Sequence, residues 1–257
     1  MTSTVRTDAP APGVTRITLD RAERRNALDL ATMQALVAAL RAAEADDQVR
    51  AIVLAAEDPV FSAGLDLAEV GDGTIDLEAV TEAGDDPWQV LQAMTTPTVA
   101  AVNGAAVTGG LELVLCCDLA IASENARFAD THGRVGIHPS GGMTVLLPRY
   151  VGRRAALGMS MTGRFVGAEE AATLGLVNQV VPHAELADAA VATAAAIAES
   201  DTRVLGAIVA TSTALDGVPL SEALALERAR AAEVPTDAAA VEERRAGVIA
   251  RGRSQQG

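Results

Sequence analysis

The strongest constraint on the fold is Gly104-Ala105-Ala106-Val107-Thr108-Gly109-Gly110-Leu111-Glu112, a glycine turn between an apolar run and an apolar helix. Upstream, Pro97 to Val102 (PTVAAV) is short, rich in β-branched residues and unbroken, the pattern of a fully buried strand. Downstream, Leu111 to Ala120 is apolar except for Glu112 and Asp118, and is predicted as a buried helix passing into the next strand. A strand, a glycine turn and a helix N-terminus gather unpaired backbone N–H groups at one point, where partial positive charge accumulates. Glu112 falls in the first turn of that helix, beside those donors. Such a group can stabilise an oxyanion while moving a proton. A nucleotide phosphate loop of this glycine spacing needs Lys and then Ser or Thr after its second glycine, where this chain has Gly110 and Leu111. Taken alone, the glycines serve equally to let a helix pack closely on a strand.

A second segment adds to the first. Ala51 to Ala55 (AIVLA) is another buried strand, followed by Phe61-Ser62-Ala63-Gly64-Leu65-Asp66-Leu67. Together FSAGLDL, NGAAVTGGLEL with the following CCDLAIAS, and the later GIHPSGGMT resemble the crotonase (enoyl-CoA hydratase/isomerase) superfamily. Asn26-Ala27-Leu28 is an early signature, and the likeness runs from Val14 to about Val181. The resemblance implies an α/β fold, a crotonase-like ββα spiral core with a C-terminal α-helical subdomain. It also implies a coenzyme A thioester as substrate, with its carbonyl oxygen between two backbone N–H groups. By resemblance those donors are Leu65 and Gly109, and Arg24, Arg25, Ala27, Ala63, Asp66 and Leu67 surround the coenzyme A. Coenzyme A is then part of the substrate, and no separate cofactor is expected.

Composition narrows the partners. A formal charge of −14 and 2% aromatic residues oppose nucleic-acid binding, which needs phosphate neutralisation and stacking surface. Net charge governs long-range steering and leaves a local anion pocket possible. The chain contains no Lys, so Arg21, Arg24 and Arg25, just before Asn26, are the local cations suited to bidentate phosphate recognition. They are equally a solvated charged turn. Cys116 and Cys117 are adjacent on an apolar helix and are expected as small buried hydrophobes. No signal peptide or membrane-spanning stretch is expected, and a cytoplasmic location follows as the default.

Gly13 to Leu19 (GVTRITL) alternates as an opening strand, and Leu30, Met33, Leu36 and Leu40 mark one helical face. The acidic stretch from Glu69 to Asp86, with Gly71, Gly73 and Gly84, is the candidate mobile lid. Strand, turn and helix recur in the order of ββα-like units. Residues 1–182 are expected as the spiral core with the acyl-CoA site, and 183–257 as a helical oligomerisation subdomain. The family resemblance implies a homotrimer or homohexamer.

Thioester hydration needs a polarised carbonyl, a base for water and a proton for the adjacent carbon. Glu112 matches the first of two glutamates in the family's hydratases, whereas the second position holds His132. Imidazole donates or accepts protons near neutrality, but differs from a carboxylate in reach and charge. Asp130 and Glu112 are candidates to orient it, although nothing in the sequence turns its ring towards Glu112. His132 is thus either a catalytic replacement or a structural histidine. No Cys, His and carboxylate cluster has metal spacing, so no metal is expected. The expected activity is enoyl-CoA hydration. The alternatives are double-bond isomerisation, another acyl-CoA reaction of the superfamily, or acyl-CoA binding without catalysis.

Overall fold

The computed structural model describes residues 3–215 and 217–254. Among them run β1 (Val5–Ala11), β2 (Val14–Leu19), β3 (Ala51–Ala56), β4 (Val60–Ser62), β5 (Thr98–Val102), β6 (Ala105–Val107), β7 (Leu119–Ser123), β8 (Arg127–Ala129), β9 (Val166–Gly167) and β10 (Gln179–Val181). The helices are α1 (Leu30–Glu44), α2 (Leu67–Gly71), α3 (Leu77–Glu82), α4 (Pro87–Ala93), α5 (Gly109–Cys116), α6 (His132–Val135) and α7 (Met143–Val151). After them come α8 (Arg153–Thr162), α9 (Ala168–Leu174), α10 (Leu186–Ala198), α11 (Thr202–Ala214), α12 (Leu220–Glu233) and α13 (Ala238–Ser254). None of the described helices is long and apolar enough to cross a membrane.

Two sheets carry the repeat. The larger has the order β1-β2-β3-β5-β7-β10 and is parallel except for the β1–β2 pair; the smaller has the order β4-β6-β8-β9. Each of β3–β4, β5–β6 and β7–β8 places its first strand in the larger sheet and its second in the smaller, then hands the chain to helix. This is the expected ββα repeat.

Alternation within the strands separates two apolar layers. Ile52, Leu54, Ala100 and Val102 face the main core with Met33, Leu36 and Leu40 of α1. Ala51, Val53, Val99 and Ala101 face the other way, onto Leu186, Ala190, Ala194 and Ala198 of α10. The four-residue spacing of those alanines gives α10 a narrow face that lies close on the sheet. Two compact units meet at Leu205, so α10, expected in a subdomain from 183, packs within the first unit. The second unit, from Gly206, contains α12 and α13.

Two further segments take on definite structure. The opening polar residues form β1, a mostly exposed edge strand where Pro10 is tolerated. The acidic stretch expected as a lid contains the end of α2 and all of α3, and its Ile75 and Val80 are buried in the main core.

Candidate active site

The end of β6 and the start of α5 present the Gly109 N–H. Thr108, between them, has φ 54° and ψ −116°, a conformation rare for a β-branched residue, at a cost of about 1–3 kcal/mol. A methyl group on Gly109 would lie 2.9 Å from Trp88 Cζ2 and 3.6 Å from the Leu65 nitrogen, so glycine permits the close approach of the two turns. Leu65 lies opposite Leu28 in an isolated parallel bridge. There Leu28 N–H donates to Gly64 O at 2.8 Å and Asp66 N–H to Leu28 O at 3.0 Å, leaving the Leu65 N–H aimed away from the bridge. Neither the Leu65 nor the Gly109 N–H has a protein acceptor among the described residues.

The early Asn26 supports this turn. Its buried amide accepts from Arg21 N–H at 2.9 Å and donates to Glu57 O at 2.8 Å and Val60 O at 2.6 Å. Ser62 Oγ donates to Asn26 O at 2.8 Å and accepts from Gly64 N–H at 3.2 Å. Asn26-Ala27-Leu28 therefore builds the backbone that carries Leu65.

Glu112, in the first turn of α5, is 2% exposed. Its Oε1 accepts from Met143 N–H at 3.1 Å, and the Gly141 backbone lies beside the carboxylate. Burial pushes the Glu112 carboxyl above the ordinary range; the Met143 N–H, His132 and the Gly141 backbone only partly oppose it. His132 opens α6 and is equally buried, with Nε2 3.7 Å from Glu112 Oε2. Its Nδ1 lies 2.7 Å from Asp130 Oδ1, which also accepts the His132 N–H at 3.1 Å. Burial raises the Asp130 carboxyl, but hydrogen bonds from His132 and Ser160 outweigh it and hold Asp130 below the usual range. An ionised carboxylate only accepts, so Nδ1 carries a proton towards Asp130, and Nε2 is the ring nitrogen turned towards Glu112. Asp130 supplies the orientation that the sequence alone left open.

A cavity of about 270 Å³ adjoins this group, lined by Arg24, Ala27, Ala63, Leu65, Asp66, Leu67, Thr108, Thr131, His132, Val135 and Ile137. Seven of the ten expected site residues line it. Glu112 lies behind His132, and Gly109 beside Leu65. Arg25 is exposed and is not in the lining. Arg21 is held between Asp29 and Asp66, each at 2.9 Å, and works as a clamp. Asp66 also caps α2 through Ala68 N–H, so its carboxylate is engaged within the protein.

Sequence reasoning missed Trp88, Thr108 and Thr131. Trp88 is the chain's single Trp, and its Nε1–H donates to Gly109 O at 2.9 Å. A methyl group on Gly141 would lie 2.7 Å from Trp88 Cγ and 2.9 Å from the Glu112 carboxyl carbon. One indole thus packs against both glycine turns. Its rarity in so aromatic-poor a chain was the available signal; Thr108, β-branched among glycines, was another.

Comparison with known proteins agrees with this geometry. The profile of the enoyl-CoA hydratase/isomerase family matches residues 10–250. A probable enoyl-CoA hydratase of Rhodobacter capsulatus is 38% identical over 216 residues, covering 84% of this chain and 83% of the relative. The 2,3-dehydroadipyl-CoA hydratase of Escherichia coli is 36% identical over 235 residues, covering 91% and 90%. The solved enoyl-CoA hydratase of Mycobacterium tuberculosis H37Rv superposes with a TM-score of 0.75 at 41% identity, covering 88% of this chain and 97% of that one. The chain belongs to the enoyl-CoA hydratase/isomerase family of enzymes.

Proposed function

We propose that this enzyme adds water to a 2-enoyl-CoA, with Glu112 and His132 sharing the proton transfers and the Leu65 and Gly109 N–H groups receiving the thioester oxygen. The observation that carries this reading is the 3.7 Å approach of His132 Nε2 to Glu112 Oε2, with Asp130 on the opposite ring nitrogen. A water molecule resting on both groups meets a base at Nε2. As its oxygen bonds to Cβ, its proton passes to His132 and the alkene electrons move through Cα to the thioester oxygen. Two backbone donors on that oxygen act as an oxyanion hole, each typically worth about 3 kcal/mol of barrier. The enolate then collapses, and Cα takes the proton of the Glu112 carboxylic acid, whose raised proton affinity suits it to that role. Proton return from His132 to Glu112 resets the pair.

Arg24, exposed at the cavity, is the cation we assign to a coenzyme A phosphate, with Ala27, Ala63 and Leu67 as apolar walls. Crotonyl-CoA and longer enoyl-CoAs, followed by loss of the conjugated-thioester absorbance, test the assignment. Binding without any hydration rejects it in favour of another acyl-CoA chemistry. Absence of binding at millimolar thioester rejects the acyl-CoA site itself. Self-association to a trimer or hexamer belongs to the same proposal. It is supported by Ile208, Leu220, Leu224, Val241 and Ile249, all exposed in the second unit. Light scattering that finds a stable monomer at micromolar concentration overturns that part.

A further inference from the structure

Thr108 holds backbone that glycine adopts freely and a β-branched residue does not. All its polar groups are engaged: N–H donates to Ala129 O at 2.9 Å, O accepts from Glu112 N–H at 2.9 Å, and the hydroxyl lies 2.7 Å from that of Thr131. The parallel β6–β8 register ends at the Val107–Ala129 pair. The two hydroxyls thus continue the connection between the segments past the last paired residues. Thr108 ψ also sets the plane of the Thr108–Gly109 peptide, and hence the aim of the Gly109 N–H. Thr131 immediately precedes His132, and both threonines line the cavity.

We propose that the Thr108–Thr131 hydroxyl pair is a positioning device. It locks the peptide that aims the Gly109 N–H and ties it to the loop carrying His132. Donor and imidazole therefore keep a fixed relation while substrates come and go. The inference rests on the roles given above to Gly109 and His132. Both threonines act through their neighbours and are positioning residues.

Thr131→Val removes one hydroxyl at nearly constant shape, and Thr131→Ser keeps it. In Thr131→Val, kcat for crotonyl-CoA should fall about tenfold with KM within about twofold, because misplacement weakens the transition state more than ground-state binding. Thr131→Ser should recover to within about threefold of wild type. Infrared spectra of carbonyl-¹³C butyryl-CoA bound to each protein supply a readout independent of turnover. The carbonyl band should move back towards its free position in Thr131→Val and stay put in Thr131→Ser. Thr108→Gly relieves the strained backbone, so its Tm should equal or exceed that of wild type while the carbonyl band shifts as in Thr131→Val. It also decides the matter if Thr131→Val fails to fold. An unchanged kcat and an unmoved band in Thr131→Val overturn the proposal. If the wild-type enzyme hydrates no enoyl-CoA, the hydration assignment falls, and the carbonyl band alone decides the positioning role.

Discussion

His132 and His183 each hold a carboxylate with one ring nitrogen, yet their surroundings differ at every other point. His183 Nε2 lies 3.0 Å from Asp58 Oδ2 and its Nδ1 3.0 Å from Ser123 Oγ, so both nitrogens are satisfied. Its side chain is 37% exposed and that of Asp58 61%, so solvent screens the pair. The Asn103 amide, and then His183, hold Asp58 below the ordinary carboxylate range. The cluster joins the loop after β3 to the ends of β5 and β7 and to the turn before α10. By contrast, the His132 side chain is 6% exposed, and only Nδ1 has a hydrogen-bond partner among the described residues. Its Nε2 faces a buried carboxyl beside a cavity. A serine, a histidine and an aspartate in line thus make a stitch when exposed and saturated. Burial and one free nitrogen make the other group reactive.

Substitutions can break this contrast. The largest effect is expected for Glu112→Gln, which keeps the size but removes the proton carrier: turnover should fall about 10²–10⁴-fold with acyl-CoA affinity retained by calorimetry. The same variant has a stability signature. Burial raises the Glu112 carboxyl in the folded state, so its contribution is full below the unfolded Glu value of about 4.3 and is lost as pH rises through the folded value. Gln escapes that loss, and the Tm of Glu112→Gln relative to wild type should be higher at pH 7 than at pH 4.

Next in size is His132→Ala, expected to lower kcat about 10²-fold. A change under about threefold would make His132 structural and leave a one-base isomerisation as the better description. Asp130→Asn should cost about tenfold in kcat, since an amide no longer dictates which ring nitrogen carries the proton. Asp130 is held low when folded, so it stabilises above the unfolded Asp value of about 3.9 and loses that contribution as pH falls through the lower folded value. The Tm deficit of Asp130→Asn should therefore shrink in acid. Smallest is His183→Ala, with kcat within about twofold and Tm lower by about 2–4 °C for the loss of one modest hydrogen-bond group. Hydration abolished in His183→Ala would erase the distinction between the two histidines.

Much of the scaffold was legible. PTVAAV is β5, buried along its whole length, and the glycine turn leads into α5 as expected. The helical tail expected after 182 is α10, α11, α12 and α13, with Ser200, Gly217 and Pro235 between them. The strands β4, β6, β8 and β9 escaped full recognition because two or three residues carry no measurable periodicity. Polar β1 was hidden because an edge strand buries little of either face. Within the site, residue types were legible and their relations were not. Asp130 stood as a candidate to orient His132, but only the ring's 2.7 Å bond to it says which nitrogen is free.

By itself the sequence determined what depends on neighbours along the chain: the alternating strands, the helix carrying Glu112, and the glycines where two turns approach. Tertiary structure decided that His132 faces Glu112, that Asp130 fixes its ring, and that Thr131 meets Thr108. It also decided the proton affinity of Glu112, through burial and the backbone of Gly141 and Met143. Backbone preference is local, whereas desolvation and a 3.7 Å approach are set by segments that meet only when the core closes.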